Sequence, residues 1–309
     1  MRFALPLALL ALAAPVYSQS ESAESSLPNQ QEQTGYADGV GGAIDDRSQT
    51  EVIEGSLGFT FQREGTGKLG DRATIEVPAG FVFTDGDNTR KVLEATQNIP
   101  GGREVGLFAP ESFEWWVVFD FDESGYVKDD EKDELDADAM LEQMQEATLA
   151  GNEERRRRGL DEHELLGWVV PPQYNSETQN LEWAFSIKSS SGGVSVNHNT
   201  RLLGRKGVME VTLVCGPDDL EKSLPAFRER LEGFSYISGE RYSEYTSGDK
   251  IAAYGLTALV AGGAGVLAVK TGLFAKFWKV IVAGVVALGA LVKKLFGGGK
   301  KDEAGSASS

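Results

Sequence analysis

The sequence predicts an α+β domain, an antiparallel sheet with packed helices, followed by a C-terminal transmembrane helix or helical hairpin. Three observations carry this expectation. Alternating or wholly apolar segments of strand length, divided by turn residues, recur between Ser56 and Ile237. Three helical patterns interrupt them, too few for a strict strand–helix alternation. Beyond Lys250 the chain turns apolar in two lysine-bracketed runs, residues 251–269 and 280–292.

In chain order, residues 1–18 read as a secretory signal. Arg2 is the charged start, residues 3–14 are apolar, and Val16 and Ser18 suit the positions before cleavage. The apolar part is shorter than the ~20 residues of a spanning helix; an uncleaved N-terminal anchor is the alternative. Residues 19–55 are rich in Ser, Gln, Glu, Asp and Gly and read as a disordered linker. The folded domain is expected over 56–249. LGFTFQRE and RATIEVP form a hairpin across the turn GTGKLGD, and FVF at 81–83 resumes as a strand. A short helix over about 88–97 is capped by Asp87 and closed by Pro100.

Strands follow at 104–108 and 113–121, the second (FEWWVVFDF) apolar enough to be central in a sheet. The longest helix, 135–158, carries a stripe of Leu135, Ala137, Leu141, Met144, Ala147 and Thr148. Its acidic start and Arg155–Arg158 at its end complement the helix dipole. Strands are expected at 164–170, 180–189, 193–203 and 207–215, with a last one at 234–237. Pro217 opens a third helix, which Pro225 should kink or divide.

Composition narrows the chemistry. The net charge is −17, yet the tail beyond Lys250 holds seven lysines against Asp302 and Glu303, so the rest stands near −22. A body this acidic repels phosphate backbones, which argues against nucleic acid. One cysteine, Cys215, excludes an intrachain disulfide and cysteine-based metal sites. Only His163 and His198 are present, which excludes histidine-rich metal sites, and no metal or cofactor is expected.

Four patterns are candidates for chemistry. Residues 120–131, DFDESGYVKDDE, fit a calcium loop formally, with Asp120, Asp122, Ser124, Gly125 and Glu131 at ligand or turn positions. The entering segment reads as a strand, however, and Lys128 brings a positive charge, so a turn between elements is the plainer reading. Around Asn197–Arg201, strand alternation places Asn197, Asn199 and Arg201 on one face and His198 and Thr200 on the other. The first face could bind a polar ligand; the plainer reading is a solvated or helix-capping strand face. His163 reads as a surface histidine at a strand start. Cys215 sits at a strand-to-helix turn, where a thiol can be activated, though a packed cysteine is the simpler expectation.

The segments DRATIEVPAGFVF, ESGYVKDDE, GNEERRRRG, GWVVPPQYN, SVNHNTRLLGRKGVMEVTLV and KIAAYGLTALVAGG, taken together and in order, resemble the domain of unknown function 2167 family of predicted membrane-anchored bacterial proteins. The resemblance implies a bacterial protein with a signal peptide and a C-terminal anchor, and it supplies no activity or catalytic residues.

Residues 250–296 are accordingly read as the anchor and 297–309 as a polar tail. Residues 251–269 reach about 28 Å as a helix, enough for a bilayer core. Residues 280–292 reach only about 20 Å, but 274–295 suffices if Lys276, Lys279 and Lys293 snorkel. Two spans would form a hairpin, favoured because 280–292 lacks a polar face. One span with the other segment at the interface satisfies the positive-inside rule. The expected protein is a non-enzymatic binding or interaction module facing the periplasm from the inner membrane. Its partners are the lipid bilayer and a membrane or periplasmic protein. The alternative is a membrane-tethered, hydrolase-like enzyme with a polar site around Asn197, His198, Asn199, Thr200 and Arg201.

Overall fold

The computed structural model describes residues 48–133 and 135–261; the signal segment, residues 19–47 of the linker, and the chain beyond 261 lie outside the described residues. Among the described residues no helix is long and apolar enough to cross a membrane. The elements run α1 (Gln49–Leu57), β1 (Gly65–Leu69), β2 (Ala73–Val77), β3 (Phe81–Asp85), α2 (Gly86–Ala95), β4 (Glu104–Pro110), β5 (Trp115–Asp122) and α3 (Ala137–Arg157). They continue with β6 (His163–Asn175), β7 (Asn180–Ser189), β8 (Val194–Leu203), β9 (Val208–Cys215), α4 (Leu220–Leu231), β10 (Phe234–Tyr236) and α5 (Leu256–Ala261). This is the α+β class that the strand-rich sequence predicts.

Among the described residues the strands form two antiparallel sheets, not one. The smaller has the order β1-β2-β10 and the larger β3-β4-β5-β9-β8-β7-β6, with the apolar β5 inside as expected. One face of the large sheet buries Trp115, Val117 and Phe119 beside Met209, Val211 and Leu213, under the small sheet and Phe227 of α4. The opposite face carries two separate apolar clusters. Val82, Leu107 and Val118 pack with Ile53 of α1 and Val92 of α2. Leu181, Trp183, Leu203 and Val208 pack with Met140 of α3 and Leu256 and Leu259 of α5. The middle strands β9 and β8 lie between these clusters, and there the site forms.

Several expectations are corrected. GTGKL is the strand β1, not a turn; the reversal falls at 70–72. Gly67 allows this pairing, because a Cβ there would lie 2.7 Å from the Phe83 ring. Order begins inside the expected linker, where Ser48 and Glu51 close a capping box on α1 and Glu54 receives Arg63 Nη1 at 2.6 Å and the Phe61 amide at 2.7 Å. Asp85, not Asp87, caps α2, accepting from the Asn88 amide; Asp87 pairs with Arg90. Helix α4 runs unbroken through Pro225.

The largest difference concerns residues 251–261, which the hydropathy pattern assigns to a membrane span. They pack on the domain. The Ala252 amide donates to Tyr126 O (2.9 Å), the Tyr126 amide to Lys250 O (2.8 Å), and the Tyr254 hydroxyl to Asp122. Glu131 accepts from the Thr257 amide at 3.2 Å, and Leu256 and Leu259 are fully buried. Apolarity alone cannot distinguish a core helix from a lipid-facing one. The polar partners Asp122 and Glu131 lie more than a hundred residues away in sequence, so no local pattern reveals them.

Candidate functional site

The cross-strand register assembles the site. Trp116, Val214 and Asn197 lie opposite one another on β5, β9 and β8; so do Val118, Thr212 and Asn199, and then Asp120, Glu210 and Arg201. Directly paired residues share a face, so these nine side chains tile one face of the sheet, with Val118 and Trp116 at the edge of the α2 cluster. Helix α2 covers the β4 side and α3 the β6 side. The gap between them is a cleft of about 610 Å³ whose floor includes Trp116, Val118, Asp120, Thr212 and Asn197.

The walls are braced by polar side chains. Met140, Met144, Thr148, Asn152 and Arg155 recur at helical spacing along α3. The last two are buried, so the inward stripe turns polar where the cleft begins. Asn152 Nδ2 donates to His163 O and its Oδ1 accepts from the His163 amide, both at 2.8 Å. Arg155 donates to Asp161 O and, at 3.1 Å, to Gln97 O at the end of α2, tying one wall to the other. Gln97 holds φ +60° to present that carbonyl. Buried Glu104 accepts from the Gly101 and Gly102 amides at 2.5 and 2.9 Å and closes one end.

The electrostatics are equally specific. Burial, and then the charges of Glu210 and Glu104, push the Asp120 carboxyl up to about 7. Arg201 is buried below the cleft floor, its guanidinium 4.7 Å over the Trp183 ring and 3.7 Å from Glu210. Its Nε and Nη1 and the Asn197 Oδ1 are buried without a hydrogen-bond partner. Burial, Arg155 and a smaller opposing effect of Asp161 set His163 below the usual imidazole range.

The candidates from sequence fare differently. The polar residues of β8 are not a solvated face: Asn199 and Arg201 are buried, and Asn197 lines the cleft. His198 and Thr200 sit on the opposite face, as the alternation requires. His198 packs against Phe227, 3.7 Å from Glu182, and burial lowers it to about 4 despite that carboxylate. The five residues therefore do not converge on one point. His163 is half-buried in the cleft wall and not simply on the surface. Cys215 is buried, which pushes its thiol up to about 12 and leaves it unreactive.

In residues 120–131 the formal calcium ligands serve separate partners. Asp120 faces the cleft, Asp122 receives Tyr254, and Glu131 caps α5. Gly125, at φ +103°, lets the backbone pass close to Lys250, and its amide donates to Lys206 O at 3.0 Å. Among the described residues no group of three or more His, Cys, Asp or Glu is placed to hold a metal ion. Calcium titration of the purified protein is expected to give no saturable heat in the micromolar range. A one-site isotherm lost in Asp120→Ala would reverse this reading.

Sequence reasoning misses Asp120, Trp116, Asn152, Arg155 and Gln97 as cleft residues. The polar continuation of the 140-144-148-152-155 stripe is the signal that could have pointed to two of them.

A sequence model of the family described as "Protein of unknown function (DUF2167)" matches residues 61–292. No curated protein matches. Among solved structures, cyanobacterial PsbP (CyanoP) from Synechocystis sp. PCC 6803 is similar at 12% identity and a TM-score of 0.34, over 64% of this chain and 98% of that one. A point mutant of the protein Mog1 is similar at 11% identity and a TM-score of 0.29, over 58% of this chain and 98% of that one.

Proposed function

Because the chain belongs to the DUF2167 family of proteins of unknown function, which brings no activity with it, we propose a function from the site itself: a ligand-binding module held at the periplasmic face of a bacterial inner membrane. The cleft carries the binding half of this reading. Its volume of about 610 Å³ lies within the usual range for small-molecule sites. At its floor, Asn197 keeps an unpaired carbonyl oxygen, and a buried polar atom left unpaired costs about 1–3 kcal/mol. That oxygen is closed off from the cleft, but Asn197 as a whole is half-buried and its side chain makes no hydrogen bond within the described residues, so its amide nitrogen is left to meet a ligand.

Gly151 lines the cleft from α3, and a Cβ there would meet nothing within 4 Å. Gly151→Leu therefore adds an isobutyl group at the cleft wall without a clash in the helix, and is expected to obstruct ligand entry. Thermal-shift screening of the full-length protein with small polar metabolites should find stabilising ligands, all inactive on Gly151→Leu. Hits that act equally on the variant, or none at all, would reject the cleft as the site.

The membrane half rests on sequence and on the placement of α5. With residues 256–261 committed to the domain core, residues 262–269 would reach only about 12 Å even as a helix, too short to span. Residues 274–295 then supply a single span, which puts Lys300 and Lys301 on the cytoplasmic side in accord with the positive-inside rule. Buried Cys215 leaves the native protein silent to thiol reagents. A Ser308→Cys variant in intact spheroplasts is expected to resist a membrane-impermeant maleimide and to react after permeabilisation. Labelling in the intact state would restore the two-span hairpin.

A further inference from the structure

Which chemistry the cleft accepts follows from which of its groups remain unspent. Its charged groups are largely engaged. Arg155 donates to the Gln97 and Asp161 carbonyls. The Asp161 carboxylate accepts from Ser189 and Ser190 at 3.0 and 3.3 Å, and Glu104 holds the Gly101 and Gly102 amides. Arg103 pairs with Glu210 at 3.1 Å and lies 3.6 Å from Asp122. An anionic ligand would give up its hydration without meeting a free cation, an expensive exchange in a half-enclosed site, and the carboxyl of Asp120 offers a full charge to a cationic one only above about pH 7. The carboxylates around Asp120 disfavour phosphate in particular.

The unengaged groups are of another kind. No hydrogen bond within the described residues occupies the side chains of Asn197, Ser195 or Gln97, or the Trp116 indole N–H, and all four residues line the cleft. Amides and hydroxyls both donate and accept. The Asp120 carboxyl, protonated below about pH 7, does the same. Trp116 lies two residues along β5 from Val118; Val118 stands directly beside Thr212, and Trp116 stands beside Val214, with Asn197 next in that row on β8. The floor thus alternates flat apolar surface with neutral hydrogen-bonding groups. A wholly apolar ligand would strip water from the Asn197 amide nitrogen and the Ser195 hydroxyl without replacing its hydrogen bonds. A ligand with an apolar ring face and a rim of hydroxyls uses both sets.

We propose that the cleft binds an uncharged sugar, with Asn197 and Ser195 reading its hydroxyl or acetamido groups and Trp116 meeting a ring face. The inference rests on the cleft being the ligand site of the domain and adds the class of ligand. The volume accommodates one or two sugar rings.

The test uses the full-length protein in lipid nanodiscs, because maltoside detergents would present the chemistry under test. Glucose, galactose, N-acetylglucosamine, maltose and N,N′-diacetylchitobiose are titrated by calorimetry, beside glucuronate, glucosamine and N-acetylated dialanine amide. At least one neutral sugar is expected to bind saturably, with affinity at least tenfold weaker in Asn197→Ala and lost in Gly151→Leu. Trp116→Phe, which keeps an aromatic floor, should retain binding within a few-fold, whereas Trp116→Ala should lose it. Binding of a charged sugar or of the peptide amide, sensitive to Gly151→Leu, without neutral-sugar binding would overturn the sugar class and leave the cleft a ligand site. Absence of binding by every probe would overturn the sugar proposal, while a cleft-dependent hit from the metabolite screen would still keep the site.

Discussion

Leu259→Ala is expected to destabilise the folded domain by about 2–5 kcal/mol, the usual cost of removing a fully buried leucine side chain. Leu259 belongs to a segment that hydropathy assigns to a membrane, and in lipid the same substitution would leave the domain's stability almost untouched. In the structure its side chain is fully buried among Val127, Met140, Trp183 and Leu203. The helix that carries it is held by Glu131 at its start and by Tyr254 on Asp122. Leu149→Ala is the matched control: Leu149 lies on α3 and is 68% exposed, so its loss should fall within about 0.5 kcal/mol. Denaturant unfolding of the purified protein, followed by tryptophan fluorescence, separates the two. Buried Trp183 reports directly on this cluster. Equal midpoints for Leu259→Ala and Leu149→Ala would mean that residues 256–261 are not part of the core.

The same segment marks where the sequence was readable and where it was not. Strand β7 falls on the expected residues, and β8 and β9 begin one residue later than expected, because period-two alternation between turns is a local signal. The division of residues 197–201 between two faces was likewise legible, since it needs only the strand geometry. Whether the Asn197 face meets water was not. That depends on α2 and α3 standing apart over β9 and β8, a consequence of which helix crosses which strands. Asp120 looked like the first position of a cation loop because its sequence neighbours are acidic; its working neighbours, Glu210 and Glu104, come from two other strands. Arg155 read as one of four arginines at a helix end. Its place on the inward stripe of α3 sets it apart from the other three, and the fold gives it a partner, Gln97 O, while Arg156, Arg157 and Arg158 pair with nearby carboxylates.

Asp120→Asn should stabilise the protein at pH 8 and have little effect at pH 4. The folded-state value, about 7, lies above the ordinary aspartate range, chiefly through burial and then through the charges of Glu210 and Glu104. A carboxyl raised on folding is protonated in both states below about pH 4 and imposes no penalty there. Between about pH 4 and 7 the unfolded chain releases the proton and the folded chain keeps it, so stability falls as pH rises. Above about 7 both forms are ionised and the penalty stays constant. Every tenfold difference in proton affinity between the folded and unfolded chain is worth about 1.4 kcal/mol. Solvent screening at a partly buried carboxyl reduces the sum, so a gain on the order of 2 kcal/mol at pH 8 is expected for the neutral amide. Acid-induced changes at other groups, including the loss of stability as pH falls from about 6.5 towards 4, where the unfolded chain protonates His198 and the folded chain keeps it neutral by burial, cancel in the difference between variant and parent. Denaturant titrations of both proteins at pH 4, 6 and 8 should therefore show a gap that opens with pH and levels off above 7. A gap of constant size, or one that widens towards acid, would show that burial and its neighbours do not hold Asp120 protonated. A ligand that requires the protonated carboxyl should then bind less well above pH 7 to the parent than to Asp120→Asn, which links the stability profile to the chemistry of the cleft.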